Sequence, residues 1–118
     1  MKNNNATVTI ELDRVRELWF GHRAMKRWSA YTGKSLDELE TSMKSPEGIE
    51  ILLYFMLEKD AASQGEALKM ESMEDLMDLV PIGIIYEKIS QAIQAAFPDS
   101  NGINEKNVIR AAGTGKKA

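Results

Sequence analysis

The chain has 118 residues, 43% of them hydrophobic and 28% charged, with a formal net charge of −3, which is typical of a single folded domain with a modest core. It contains no cysteine, which excludes a disulfide framework, a thiolate metal site and a cysteine nucleophile. The longest apolar run, ILLYFML, is far too short to span a bilayer and no signal peptide is recognisable, so we expect a cytoplasmic protein.

Two short strands are predicted near the N-terminus, after a disordered start at residues 1–6. In TVTIEL every second residue is apolar, which places Val8, Ile10 and Leu12 on one face of a strand. VRELWF is predicted to return as a second strand after a turn at Asp13-Arg14. This turn lacks the glycine or asparagine that tight hairpins prefer.

The stretch YTGKS, from Tyr31 to Ser35, ends like a phosphate-binding P-loop but is predicted to be a turn between two helices. A P-loop needs a glycine five residues before Gly33, where this chain has Trp28, and it follows a strand rather than a helix. Gly33 is expected to have a positive φ just past the end of the first helix. Ser35 and Glu38 form a predicted capping box that opens the next helix. We therefore expect no binding of ATP or GTP.

Residues 22–97 are predicted to form a compact bundle of about five helices, so the fold class is mostly α, or α+β when the strand pair is counted. The first helix covers 22–32 and the second covers LDELETSMK. The third begins with Ser45 as its cap and Pro46 in its first position. Because GIEILLYFMLEK is apolar nearly all round, this helix is expected to be central.

The rest of the chain is predicted to contain two further helices and a tail. Ser72 is the predicted cap of the short helix MEDLMDLV, and Pro81 is predicted to open the last helix, which Pro98 stops. Residues 98–118 lose the helical periodicity and gain glycine, asparagine and lysine, which predicts a flexible C-terminal tail after a helical domain at 7–97. The inner faces of the third and last helices are predicted to carry Ile49, Leu52, Leu53, Met56, Leu57, Ile82, Ile85, Ile89, Ile93 and Phe97.

Catalytic chemistry is not indicated by the sequence. His22 is the only histidine, and the chain has no second histidine and no cysteine to complete a metal site with it. The carboxylates fall in first turns and on polar faces of helices, where helix dipoles favour them, and no pocket is marked around them. We therefore expect a non-enzymatic protein with no catalytic residue, no metal and no cofactor.

Charge is distributed unevenly along the chain. Residues 1–35 carry seven Lys/Arg and three Asp/Glu, whereas residues 36–80 carry three Lys/Arg and twelve Asp/Glu. This polarity predicts ion pairing within the fold or between copies. Two helices joined by a glycine turn also resemble a helix-turn-helix, with Arg23, Lys26 and Arg27 as cations on the first helix. The second helix is acidic, which is the wrong sign for contact with phosphates, so nucleic-acid binding is disfavoured.

Apolar side chains are numerous for so small a domain. Three of the seven methionines lie within eight residues around the short fourth helix, and flexible thioethers suit surfaces that repack against other chains. Trp28 is expected in the core, and so is Phe55, although the latter is also a candidate for contact. The full set of candidate partner-binding residues is Trp19, Phe20, Tyr54, Phe55, Met70, Met73 and Met77.

The order of these elements resembles the tail assembly chaperones of long-tailed bacteriophages with non-contractile tails. The resemblance covers roughly residues 7–97. It rests on a strand pair, then LWFGHRAMKRWSAYTGKSLDEL, then the apolar GIEILLYFMLEKD, then MESMEDLMDLVPIGIIYEKISQAI. In that family a strand pair leads into a helix ending in a TGKS-like turn, and an apolar helix precedes one with a Ser/Thr cap and acidic residues. Gly21 and His22 depart from the Asp or Asn that is usual near the start of the first helix.

The resemblance implies a small, non-enzymatic chaperone that binds and solubilises the tape measure protein in the host bacterial cytoplasm. Such chaperones coat the tape measure protein before the tail tube polymerises, and they are not expected in the mature virion. Contacts with the tail tube protein and with further copies of the chain are also compatible with it, whereas a membrane partner is not expected. The alternative is a small helical DNA-binding or regulatory protein of phage or bacterial origin.

Overall fold

The computed structural model describes residues 8–98, and the predictions for residues 1–6 and for the tail beyond Pro98 lie outside this range. Within it, two antiparallel strands are followed by five α-helices, which confirms the predicted mostly helical α+β fold. The elements are β1 (Val8–Glu11), β2 (Val15–Leu18), α1 (His22–Thr32), α2 (Leu39–Ser42), α3 (Pro46–Ser63), α4 (Met73–Met77) and α5 (Ile82–Ala96), with 3-10 turns at Leu36–Glu38 and Met70–Ser72.

The two strands form the predicted hairpin, with Glu11 opposite Val15 as the last pair before the turn. The turn has three residues, and Leu12 donates its N–H to the carbonyl of Arg14 at 3.0 Å. The connection is therefore longer than the two-residue turns that require pairs such as Asn-Gly. The predicted inner face of the first strand is confirmed, because the residues buried in the core or packed against it include Val8, Ile10 and Leu12.

The TGKS stretch is a turn between helical segments, as predicted. Gly33 follows the end of α1 with φ 73° and ψ 17°, and its N–H donates to the carbonyl of Ser29 at 2.8 Å. The carboxylate of Glu38 accepts the N–H of Ser35 at 3.1 Å, which is the expected capping contact. A helix rather than a strand leads into Gly33, so this part of the chain lacks the setting of a P-loop.

The second predicted helix is shorter than expected. The pattern predicted a helix over LDELETSMK, but a 3-10 turn occupies residues 36–38 and α2 ends at Ser42. The reason is the close approach of the next helix, since a Cβ added to Gly48 would collide with the carbonyl of Ser42. Because α3 begins directly against the end of α2, residues 43–45 have to turn the chain.

The third helix is central, as predicted. The Ser45 hydroxyl accepts the N–H of Gly48 at 3.1 Å, and Pro46 occupies the first helical position. The helix packs against α1, α4, α5 and β2. Its buried side chains are Ile49, Leu52, Leu53, Phe55, Met56, Leu57, Asp60 and Ala61.

The last two helices differ from the prediction at their starts. Ser72 precedes α4 but makes no capping hydrogen bond through its side chain, because the 3-10 turn before it already gives Ser72 a helical φ of −89° and ψ of −6°. On α5 the buried face is centred on Ile85 and Ile89. Ile82, which was predicted to share that face, is 51% exposed because it lies at the edge of the buried stripe.

Ion pairs connect the hairpin to α3 and to the loop that follows α3. Arg14 lies 2.6 Å from Asp60 and 3.0 Å from Glu66, and the buried Arg16 lies 2.9 Å from Glu66. Hydrogen bonds from Arg14, and then from Arg16, hold the pKa of Glu66 below its ordinary value. The predicted pairing between the basic N-terminal part and the acidic middle is therefore confirmed within the fold.

Candidate partner-binding groove

An open groove lies where the hairpin, the start of α1 and the end of α5 meet. It encloses about 290 Å³, which is room for about one or two large apolar side chains. The lining comes from segments that are far apart in the sequence. The lining residues are Val8, Leu18, Trp19, Phe20, Gly21, His22, Met25, Ala92, Ala95 and Ala96.

Trp19 is the most prominent side chain of the groove and is 41% exposed. The Lys59 Nζ atom lies 4.2 Å from the centroid of its ring, a cation–π contact that holds one face of the indole against α3. The backbone N–H of Trp19 donates a hydrogen bond to the backbone carbonyl of Met56 at 2.9 Å. A Cβ added to Gly21 would collide with the indole nitrogen, so this turn requires a glycine for the ring to take its position.

The part of the lining that comes from α5 consists of small side chains. Ala92, Ala95 and Ala96 are spaced at i, i+3 and i+4, so they share one side of the last turns of that helix. Alanine leaves open the space that leucine or isoleucine would fill at these positions. The combination of an exposed indole and small side chains makes an apolar recess that can receive a side chain from another molecule.

The start of α1 adds positive potential at the edge of the groove. Gly21 is the N-cap residue and has no side chain to cap the helix, and the first turn contains no acidic residue. The positive end of the helix dipole is therefore not compensated by a neighbouring carboxylate of this turn. His22, the first residue of α1, is exposed and lines the groove. An acidic group next to the apolar residues of a ligand would be favoured here.

Three of the candidate contact residues are buried, as was expected for Phe55 but not for the methionine of the fourth helix. Phe20 and Phe55 are 3% and 4% exposed, and Met73 is fully buried. The fourth helix was predicted to be peripheral, with its methionines free to repack. Instead, α4 has only five residues, and it packs against α3 with Met73 buried.

The other candidates divide between the groove and the border of the core. Trp19 is the one of the seven predicted residues that both lines the groove and is well exposed. Tyr54 is half-buried, because its hydroxyl donates to the carbonyl of Leu68 at 3.3 Å and its ring packs edge-on against Phe55. Met70 and Met77 are also half-buried and pack against the core. Binding through these side chains stays a prediction.

Sequence reasoning missed most of the groove. Met25 and His22 were assigned to a helix but not to a site, and the three alanines of α5 were not singled out. The signal that could have found them is the spacing of Ala92, Ala95 and Ala96 in an otherwise isoleucine-rich helix. No comparable signal connects α5 with Trp19, because their position along the same groove depends on how the hairpin packs.

The cations considered for nucleic-acid binding lie on the outer side of α1. Arg27 contacts Glu58 of α3 at 2.7 Å, and this hydrogen-bonded pair raises the pKa of the arginine. Arg23 and Lys26 are exposed. The segment that would enter a DNA groove is only a four-residue helix, far shorter than the recognition helix of a helix-turn-helix.

Comparison with known proteins assigns neither a family nor a function to the chain. The chain matches no protein-family model, no curated protein and no solved structure. Among residues 8–98, no helix combines the length and the apolar character that crossing a membrane requires. Within the same range, no three His, Cys, Asp or Glu side chains are grouped so that they could hold a metal ion.

Proposed function

We propose that the chain is a non-enzymatic assembly chaperone of bacteriophage tails, which binds and solubilises the tape measure protein while the tail tube forms around it. The observation that carries the proposal is the groove beside Trp19. A long amphipathic helix exposes apolar side chains at regular intervals in solution, and a protein that keeps it soluble must cover those side chains. This task needs an apolar recess and no reacting group.

The size and chemistry of the groove suit a side chain from an amphipathic helix. Its volume of about 290 Å³ admits an anchor of the kind that dominates helix-in-groove contacts. The exposed ring of Trp19 offers a large apolar contact surface, and the start of α1 offers positive potential beside it. A helix with a leucine or phenylalanine anchor and a nearby acidic residue has the complementary chemistry.

The arrangement of elements gives the proposal independent support. The strand pair, the helix ending in the TGKS turn, the central apolar helix and the later acidic helix occur in the order that the resemblance implies. This support comes from architecture alone. The groove and the resemblance therefore rest on different observations and can fail separately.

Tryptophan fluorescence tests the groove directly, because the chain has two tryptophans and Trp28 is fully buried. The full chain is titrated with synthetic helical segments of the tape measure protein. Binding should shift the emission of Trp19 to shorter wavelength and protect it from acrylamide. Trp19→Ser should weaken binding, measured by calorimetry, roughly tenfold or more, because a buried aromatic anchor is lost.

Val15→Ser provides the matched control. It removes an apolar side chain from β2, the strand that precedes Trp19, and Val15 is 57% exposed but does not line the groove. Its affinity should equal that of the unmodified chain. Equal affinities for Trp19→Ser and Val15→Ser would contradict binding at the groove. Duplex DNA run in parallel tests the alternative, since binding through Arg23 and Lys26 would weaken steeply with added salt.

A further inference from the structure

Lys59, in the C-terminal half of α3, is an exposed lysine without an acidic partner among the described residues. Its two neighbours along the chain are both engaged in ion pairs. Glu58 pairs with Arg27 at 2.7 Å. Asp60 pairs with Arg14 at 2.6 Å. The positions three and four residues away along the helix cannot supply a partner, because they are uncharged. They hold Phe55, Met56, Ala62 and Ser63.

The ammonium of Lys59 is held at the edge of the groove. Its Nζ atom lies 4.2 Å from the centroid of the Trp19 ring, and Trp19 lines the groove whereas Lys59 does not. The backbone of Trp19 is bonded to that of Met56, which lies about one turn before Lys59 on the same helix. One part of α3 therefore fixes both the indole and the ammonium before any partner binds. Less side-chain freedom is lost on binding when the contacting groups are already in place.

The groove itself offers no negative charge to this ammonium. None of the described lining residues is acidic, and the first turn of α1 beside them contains no carboxylate. An ammonium has three hydrogen-bond donors, so Lys59 can bond a carboxylate while it stays in contact with the indole. Charge complementarity therefore favours a negatively charged group on the molecule that occupies the groove.

We propose that Lys59 recognises a carboxylate of the bound partner, which carries an Asp or Glu about one helical turn from the apolar side chain that contacts Trp19. The spacing follows from the short distance between ammonium and ring, because side chains one turn apart, roughly 5.4 Å along a helix, lie on the same face. A lysine or arginine at that position would meet Lys59 with like charge and would be rejected. The inference rests on the proposed function and adds to it the chemistry that selects the segment of the partner.

A double-mutant cycle between Lys59 and the partner carboxylate tests the inference, with the affinities of the full chain measured by calorimetry. The probes are a helical segment of the tape measure protein that has a glutamate four residues from a leucine, and the same segment with glutamine in that position. The unmodified chain should bind the glutamate segment about threefold to fivefold more tightly, as a partly exposed ion pair allows. Lys59→Met should abolish this preference, Lys59→Arg should retain it, and added salt should reduce it.

Lys44→Met is the matched control, because it removes an exposed lysine that lies outside the groove. Its preference for the glutamate segment should equal that of the unmodified chain. A preference that persists in Lys59→Met, or no preference in the unmodified chain, would overturn the inference while the proposed function stands, because both segments still bind at the groove. Binding that is absent, or that Trp19→Ser leaves unchanged, would overturn the proposed function and the inference together.

Discussion

Arg16 shows how one charged side chain is accommodated inside so small a fold. It is 4% exposed, and its guanidinium lies 2.8 Å from Asp13, 2.9 Å from Glu66 and 3.7 Å from Asp60. A buried charge without partners would be strongly destabilising, so the surrounding carboxylates are needed for the hairpin to dock. Asp60 is the most buried of them and also binds Arg14, which makes it the centre of this network.

Asp60→Ala should therefore lower the free energy of unfolding by about 2–3 kcal/mol, because it removes the buried partner while Arg16 stays in place. Glu58→Ala breaks the more exposed pair with Arg27 and should cost less than about 1 kcal/mol. Urea denaturation of both variants measures the two losses. If they were equal, the network around Arg16 would not contribute to stability as its burial implies.

Glu50 is a carboxylate that opposes folding at neutral pH. Partial burial, and then the charges of Glu74 and Glu47, raise its pKa. A carboxyl with a raised pKa in the folded state destabilises the fold when ionised, and this penalty disappears as the pH falls through that pKa. Below the ordinary pKa of glutamate, the group is protonated in both the folded and the unfolded chain.

Glu50→Gln should therefore raise the melting temperature at neutral pH, with a gain of less than about 1 kcal/mol because the group is only partly buried. In acid the variant and the unmodified chain should melt together. Glu40→Gln, at an exposed position of α2, is the control and should change little at either pH. A gain of the same size in acid would show that the effect does not come from the ionised form of Glu50.

At the scale of elements, two glycines set where helices end and begin. Gly33→Ala should destabilise the fold by about 1 kcal/mol, because its φ of 73° is strained for alanine although nothing lies near the new methyl group. Gly48→Ala should cost clearly more, since the methyl group would collide with the backbone of Ser42. Lys34→Ala should be nearly neutral because its backbone makes the contacts with Ser29 and Thr32.

Thermal unfolding of the three variants gives the ranking. Should Gly33→Ala prove as stable as the unmodified chain, the left-handed turn after α1 would not need its glycine. If Gly48→Ala were neutral, α2 and α3 would have room to move apart. Gly83→Ala is a useful reference, since Gly83 lies in the first turn of α5 with open space around it and should tolerate the change.

The same elements show what the sequence could predict. The bounds of α1 and the cap of α3 were predictable because Gly33, Ser45 and Pro46 act through their own local conformation. The early end of α2 was not, since it depends on contact with Gly48. Likewise, the sequence predicted a short fourth helix rich in methionine but not that Met73 would be buried against α3. The groove could not be predicted from the sequence, because it forms only where three segments that are far apart in the sequence meet.

At the scale of the whole molecule, α5 connects the groove to the core. Its last turns supply Ala95 and Ala96 to the groove lining, whereas Ile82 and Tyr86 of its first turns are exposed. The helix between them is anchored in the core by Ile85, Ile89 and Ala92. The position of the groove lining therefore depends on how α5 packs in the core.

The described core predicts how the chain responds to shortening. Every buried core residue lies between Ile10 and Ala92, and the groove lining ends at Ala96. Cutting the chain after Pro98 should therefore leave the melting temperature almost unchanged. It should also leave the affinity for a tape measure segment unchanged. Differential scanning calorimetry and the Trp19 titration, each run on both lengths, measure the two quantities.

A second cut, after Gln91, is the matched control, because it removes Ala92 from the core together with the α5 part of the groove. That chain should melt at a lower temperature and bind weakly. A lower melting temperature for the cut after Pro98 would mean that residues 99–118 contribute to the stability of the fold. Tighter binding by that shortened chain would mean that these residues compete with the partner for the groove, because a ligand tethered nearby acts at high effective concentration.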